Sequence, residues 1–292
     1  MISWIFGGVE TILDDGENGV YLLGHDGFGM PAFHRLEERG LLQHGVTDRG
    51  YLLDARTINL VIGVKGTSLE NFYQKRYQMI NQFKPSEQAG ILRWKLGGVT
   101  RQINGYLVGG LELSDGDRDH LFQKIPISIK CPDPTWYDPS GKLLEFGVGG
   151  GSDTFEVPLV IPMTVGASSI SSSQSIVYSG SVRSFPVISI TGPISNCKIV
   201  NNTTGDVLDF TGVTIPADRT YTIDLRYGRK TVVDDLGNNQ ISKLTTDSDL
   251  ATWCLEADPV AAGGSNSIGV SGSNVTAETA IRLTFYERYI GL

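Results

Sequence analysis

Four histidines, three cysteines and scattered carboxylates are the residues of this chain with the chemistry for catalysis or metal binding. His25, Asp26 and His34 lie close enough in sequence to suggest a cation site. Their spacing matches no ligand template, however, and the segment around them is rich in turns. His44 and His120 stand apart. The run Asp115-Gly116-Asp117-Arg118-Asp119 resembles the start of a calcium loop but lacks the DxDxDG run and the closing glutamate, so it reads as a solvated acidic turn. Cys131, Cys197 and Cys254 are odd in number and far apart, with no CxxC or Cys/His cluster; buried free thiols are expected. Gly147 to Gly151 is glycine-rich like a phosphate cradle, but no Lys-Ser/Thr follows it, and it reads as a loop. No GxSxG occurs, and no serine or cysteine has a base partner in the sequence. These residues imply no catalytic group, no metal and no cofactor. Tyr221, Tyr227 and Trp253 could stack on a sugar ring or a partner, but residues of this kind are more often core or interface aromatics.

Composition narrows the class. Hydrophobic residues are 40% and charged residues 19% of the 292, enough for a folded core. Thirty-six glycines sit among short apolar runs without a period, which points to tight turns between strands. The net charge is -8, and basic residues never run beyond pairs such as Lys75-Arg76, so direct nucleic-acid binding is disfavoured. Met1 to Gly7 has no secretory signal character and no apolar run is long enough to span a bilayer, so synthesis in a cytoplasm and no membrane insertion are expected.

The elements that must position any site follow from periodicity. Alternating runs bounded by Asp15-Gly16, Asn18-Gly19 and Asp26-Gly27 predict strands at Val20–Leu23 and Thr57–Ile62. Thr67 to Phe83 predicts the one clear helix. Thr67 and Glu70 fit a capping box, Leu69, Phe72, Tyr73, Met79, Ile80 and Phe83 form an apolar stripe, and Pro85 ends the helix. Strands are predicted at Gly90–Leu96 and Thr100–Val108 about a Gly97-Gly98 turn, and at Lys124–Lys130. Gly149-Gly150-Gly151-Ser152 reads as a linker, Val157–Val165 as a strand, and Ser171-Ser172-Ser173 as an exposed turn. Beyond residue 180 short strands recur, from Val187–Ile190 to a last long one at Ala280–Tyr289. The domains are placed at 1–145 and 146–292, with the last strand able to pack back on the first.

Taken in order, several strings resemble the distal tail (Dit) family of long-tailed, siphovirus-type phages. They are Asp26-Gly27-Phe28-Gly29-Met30-Pro31, the capped helix with Phe83-Lys84-Pro85 and Gly90-Ile91-Leu92, and Asp133-Pro134-Thr135-Trp136-Tyr137. Phe185-Pro186-Val187-Ile188-Ser189-Ile190-Thr191-Gly192-Pro193 follows, then Asn201 to Gly205. The resemblance implies a mainly β chain with one helix. Its first half would be a tail-tube-like β-sandwich plus helix, and its second a galectin-like or jelly-roll β-sandwich. It also implies a structural virion protein at the tail tip or baseplate. Six copies would form a ring joining the tail-tube protein to the tail-tip hub protein and to receptor-binding or tail-fibre proteins. Genome DNA would pass through the lumen without specific binding, as an acidic wall would favour. Two other readings stay open: a carbohydrate-binding module contacting host-surface glycans through Tyr221, Tyr227 and Trp253, and a glycan hydrolase.

Overall fold

A computed structural model describes residues 1–147 and 169–292. The Gly149–Ser152 linker and the Val157–Val165 strand lie outside these described residues. The chain forms two compact units, residues 1–139 with 289–292, and residues 140–288.

The first unit runs β1 (Ile2–Phe6), β2 (Val9–Ile12), β3 (Val20–Asp26), β4 (Phe33–Glu38), β5 (Thr47–Leu53), β6 (Arg56–Lys65), α1 (Leu69–Gln82), β7 (Gly90–Leu96), β8 (Val99–Leu107), β9 (Arg118–Asp119), β10 (Phe122–Cys131) and β11 (Trp136–Tyr137). Its main strands lie in the order β2-β1-β7-β8-β10-β6-β3, and each pairing is antiparallel. Period-two alternation builds the core. Ile58, Leu60, Ile62 and Val64 of β6 point inward, and Ile125, Ile127 and Ile129 of β10 stand opposite them. Cross-strand branched pairs of this kind pack well on a pleated surface. Gly97 and Gly98 both take positive φ and close the β7–β8 hairpin, as the sequence predicts.

The helix differs from its prediction in two ways. Its N-cap is Ser68, whose hydroxyl accepts from the Asn71 N–H at 3.2 Å, while the Asn71 side chain accepts from the Thr67 N–H. The capping pair is therefore Ser68 and Asn71, one residue along from Thr67 and Glu70. The buried stripe is also narrower than expected. Phe72, Met79 and Phe83 are buried, but Leu69, Tyr73 and Ile80 are exposed, and so is Tyr77. The Trp4 indole N–H donates to the Gln82 carbonyl at 3.0 Å, fixing the helix end to β1.

One buried cation ties three segments of this unit together. Arg56, 3% exposed, begins β6. Its guanidinium donates to the carbonyls of Gly27, Gly29, Pro134 and Ile290 at 2.5 to 2.8 Å. Gly27 is required there: its φ is +85° and a Cβ would lie 2.2 Å from the Thr57 carbonyl. Phe28 packs edge-on to Trp136 at 5.5 Å between centroids.

The second unit contains β12 (Lys142–Gly147), β13 (Ser169–Val177), β14 (Val187–Thr191), β15 (Ile194–Asn201), β16 (Val207–Asp209), β17 (Thr214–Ile215), β18 (Thr220–Asp224), β19 (Thr231–Asp234), β20 (Ser265–Ser273) and β21 (Ala280–Phe285); at β22 (Arg288–Tyr289) the chain passes back to the first unit. Two sheets, β12-β21-β14-β18-β19 and β13-β20-β15-β16, share one core that includes Phe146, Ile188, Ile199, Phe210, Ile223, Trp253, Ile268 and Leu283. Two expectations are corrected here. Ser171 to Ser173 is strand, not turn: β13 pairs with β20 along its length, its serines facing out while Ile170 and Ile176 are buried. The predicted long last strand is broken, with β21 ending at Phe285 and β22 covering two residues.

Replacing Arg56 by Met leaves four part-buried carbonyls without their donor, and should lower the unfolding free energy by about 3 kcal/mol in urea titration. Arg56→Lys should recover little, because one ammonium cannot span four acceptors. An unchanged midpoint in Arg56→Met would contradict the anchoring role.

Candidate functional site

Strands β4 and β5 form a two-stranded sheet that joins none of the three larger sheets. Phe33 pairs with Leu53, His34 with Leu52 and Arg35 with Tyr51; after a register shift, Glu37 pairs with Asp48 and Glu38 with Thr47. A hairpin of two strands is marginal in water on its own. Two exposed ion pairs brace it, Arg35–Asp48 at 2.8 Å and Arg49–Glu38 at 2.7 Å, and the His34 Nε2 lies 2.8 Å from the Asp54 carboxylate. Pairs this exposed contribute little. Its base, in contrast, is held by Arg56 through Gly27 and Gly29.

The tip of the hairpin is ordered and apolar. The Gln43 N–H donates to the Gly40 carbonyl at 3.1 Å, its side-chain oxygen accepts from the Gly40 N–H at 2.9 Å, and its amide donates to the Thr47 hydroxyl at 2.9 Å. This clasp presents Leu41 and Leu42, which are 97% and 94% exposed. Leu42 has φ +65°, a left-handed backbone that a leucine adopts only at a cost. Met30, Phe33, Leu36, Val46, Tyr51 and Leu52 are exposed along the same excursion. An apolar surface of this extent, held in place by its own hydrogen bonds, has the character of an interaction surface.

A second apolar strip lies on α1. Leu69, Tyr73, Tyr77 and Ile80 follow one another at steps of three or four residues and are all exposed. The strip and the hairpin spring from opposite ends of β6, since β5 leads into Arg56 and α1 follows Lys65.

The sequence-predicted stacking residues do not come together on one surface. Trp253 is 0% exposed and Tyr221 8%, both in the core of the second unit. Burial removes the ring faces that a sugar would need. Tyr227, at 70% exposure, faces solvent. His25 stacks on Phe28 at 4.5 Å and meets Trp94 edge-on, while His34 pairs with Asp54. Asp115 to Asp117 forms a short 3-10 turn. Among the described residues no cluster of three or more His, Cys, Asp or Glu has the placement to hold a metal ion. No described helix is long and apolar enough to cross a membrane. The hairpin tip was missed in the sequence. Its visible signal is Leu41-Leu42 between Gly40 and Gly45, an apolar pair with no alternation to bury it.

Among the described residues the chain is mostly β with one α-helix, and its second unit has two sheets. No family model matches the chain, and no curated protein matches it in sequence. Among solved structures it is similar to SPP1 Dit (gp 19.1), described as a paradigm of the hub adsorption apparatus in Gram-positive-infecting phages. That likeness has a TM-score of 0.60 at 12% identity and covers 99% of each chain. The phage P2 baseplate in its activated conformation, with Ca and with Sr, is similar at a TM-score of 0.48 and 11% identity over 98% of each chain. The fold of this chain is therefore a Dit fold, present over both units.

The three thiols are buried and free, and burial pushes each up to about 12. They should resist alkylation at pH 8 in the native chain and react fully in denaturant. Fast labelling of any of them in the folded protein would contradict this placement.

Proposed function

We propose that this chain is a distal tail protein of a long-tailed phage, a structural subunit of the virion tail tip that works by assembly and not by turnover. Six copies close a ring between the tail tube and the tail-tip hub, and the ring carries the receptor-binding or fibre proteins. The hairpin tip supports this reading most directly. Two adjacent leucines held out in water by a strained, clasped turn would gain from a partner that received them, since burying each is worth about 1.5–3 kcal/mol. Two apolar patches rooted at opposite ends of one strand suit a head-to-tail contact between copies, and such a contact closes into a ring when its rotation allows. The Dit fold over the whole chain supports the same reading. A net charge of -8 suits a conduit wall that lets DNA pass without holding it. The glycan-module reading through Tyr221, Tyr227 and Trp253 loses two of its three ring faces to burial.

Light scattering after gel filtration should give a hexamer or two stacked hexamers, and negative-stain images should show a ring with a central hole. Leu41→Asp with Leu42→Asp should leave the melting temperature within about 2 °C, as for exposed positions, and yield monomers. A wild-type chain that stays monomeric at high concentration, or a double variant that still forms rings, would overturn the proposal.

A further inference from the structure

In the second unit β20 lies between β13 and β15, so its main-chain groups are paired on both sides. Ile199, Ile268 and Val270 point into the core, and the residues that alternate with them form the outer face of these strands. Register sets the rows on that face. One row runs Ser171, Ser271 and Lys198, and on to Asp209 of β16. The next runs Ser173, Gly269 and Val200. Beyond it the Asn202 amide donates to the Ser267 hydroxyl at 3.4 Å, and that hydroxyl lies 3.3 Å from the hydroxyl of Ser173. Gly269 leaves the middle row without a side chain at its centre, and a groove of about 320 Å³ opens there. A Cβ on Gly269 would lie 3.2 Å from the Asn202 amide nitrogen, so a larger side chain would fill the groove.

The lining has one consistent chemistry. Its walls carry the Ser171 and Ser271 hydroxyls, the Lys198 ammonium and the Asn202 amide. The half-buried Val200 and the Gly269 Cα make an apolar floor. Among the described residues the Ser171 and Ser271 hydroxyls make no hydrogen bond. A hydroxyl both donates and accepts, so such walls suit a ligand that does the same. Asp209 lies 3.5 Å from the Lys198 ammonium and balances its charge.

We propose that this groove binds a neutral oligosaccharide, its hydroxyls bonded to the walls and the apolar C–H face of a sugar ring lying over Val200 and Gly269. Small-ligand sites measure about 300–1,000 Å³, and the groove lies within that range. An added peptide strand needs a free sheet edge, which β20 does not offer. An apolar partner would strip water from the wall hydroxyls without replacing its bonds. A polyanion would meet one cation, already matched by a carboxylate. The site goes beyond the assembly role, does not depend on ring formation, and uses none of Tyr221, Tyr227 and Trp253.

Binding of the fluorescently labelled full chain to an array of neutral hexose and N-acetylhexosamine oligosaccharides, with sulfated glycans alongside, tests it. At least one neutral class should retain the chain, with little dependence on salt because no net charge is neutralised. Gly269→Val should weaken that binding by about tenfold or more, with circular dichroism unchanged because the Asn202 side chain can swing aside. Asn202→Ala should weaken it by about fivefold through one lost hydrogen bond. Tyr227→Ala should leave it unchanged. No retention on any neutral glycan would overturn the site. So would unchanged binding in folded Gly269→Val and Asn202→Ala, loss of binding in Tyr227→Ala, or stronger retention on sulfated glycans than on neutral ones.

Discussion

The first unit depends on a single buried guanidinium. Arg56 donates to four main-chain carbonyls from three separated stretches of chain: the exit from β3, the segment before β11, and the returning C-terminal residues. Its partners among the described residues are carbonyl dipoles, and its burial depresses it below the ordinary arginine value. A planar fork with five donors suits this task, and a point charge does not. Arg101 adds a second hold on the terminal stretch, its guanidinium lying 3.7 Å from the centre of the Tyr289 ring. The strings Asp26–Pro31 and Asp133–Tyr137, distant in sequence, meet at this arginine.

Stability is therefore concentrated at the base of the β4–β5 excursion and sparse at its tip. The base has a buried arginine bonded to four carbonyls, a glycine whose backbone and surroundings exclude a side chain, and aromatic packing. The tip has a hydrogen-bonded turn and exposed ion pairs. Segments with few buried contacts open at low free-energy cost. A projecting arm of this kind can adjust to a partner while its root stays fixed. The leucines it presents are almost fully exposed, and the Leu42 backbone carries a local cost.

The parts of the fold that were legible in the sequence are those where local rules and tertiary packing agree. Alternation in Thr57–Ile62 and Lys124–Lys130 marked strands because both bury one face. Gly97-Gly98 marked a turn because both residues need positive φ. The helix was placed but its cap was off by one residue, since Thr67 and Ser68 both offer a hydroxyl and only geometry selects between them. Ser171–Ser173 resembled a turn because a strand whose outer face is serine has the composition of a loop. Trp253 resembled a ligand platform because exposure is not written in residue type. The hairpin tip was hidden for the same reason, and Arg56 because its partners are main-chain oxygens, which leave no mark in sequence.

Assembly through the hairpin is the central claim, and deuterium uptake tests it directly. Amides of residues 36–48 should exchange fast in the dilute dissociated chain and be strongly protected in the assembled protein, while β6 and β10 should be slow in both. Equal exchange of residues 36–48 in the two states, with rings present in one, would contradict the account.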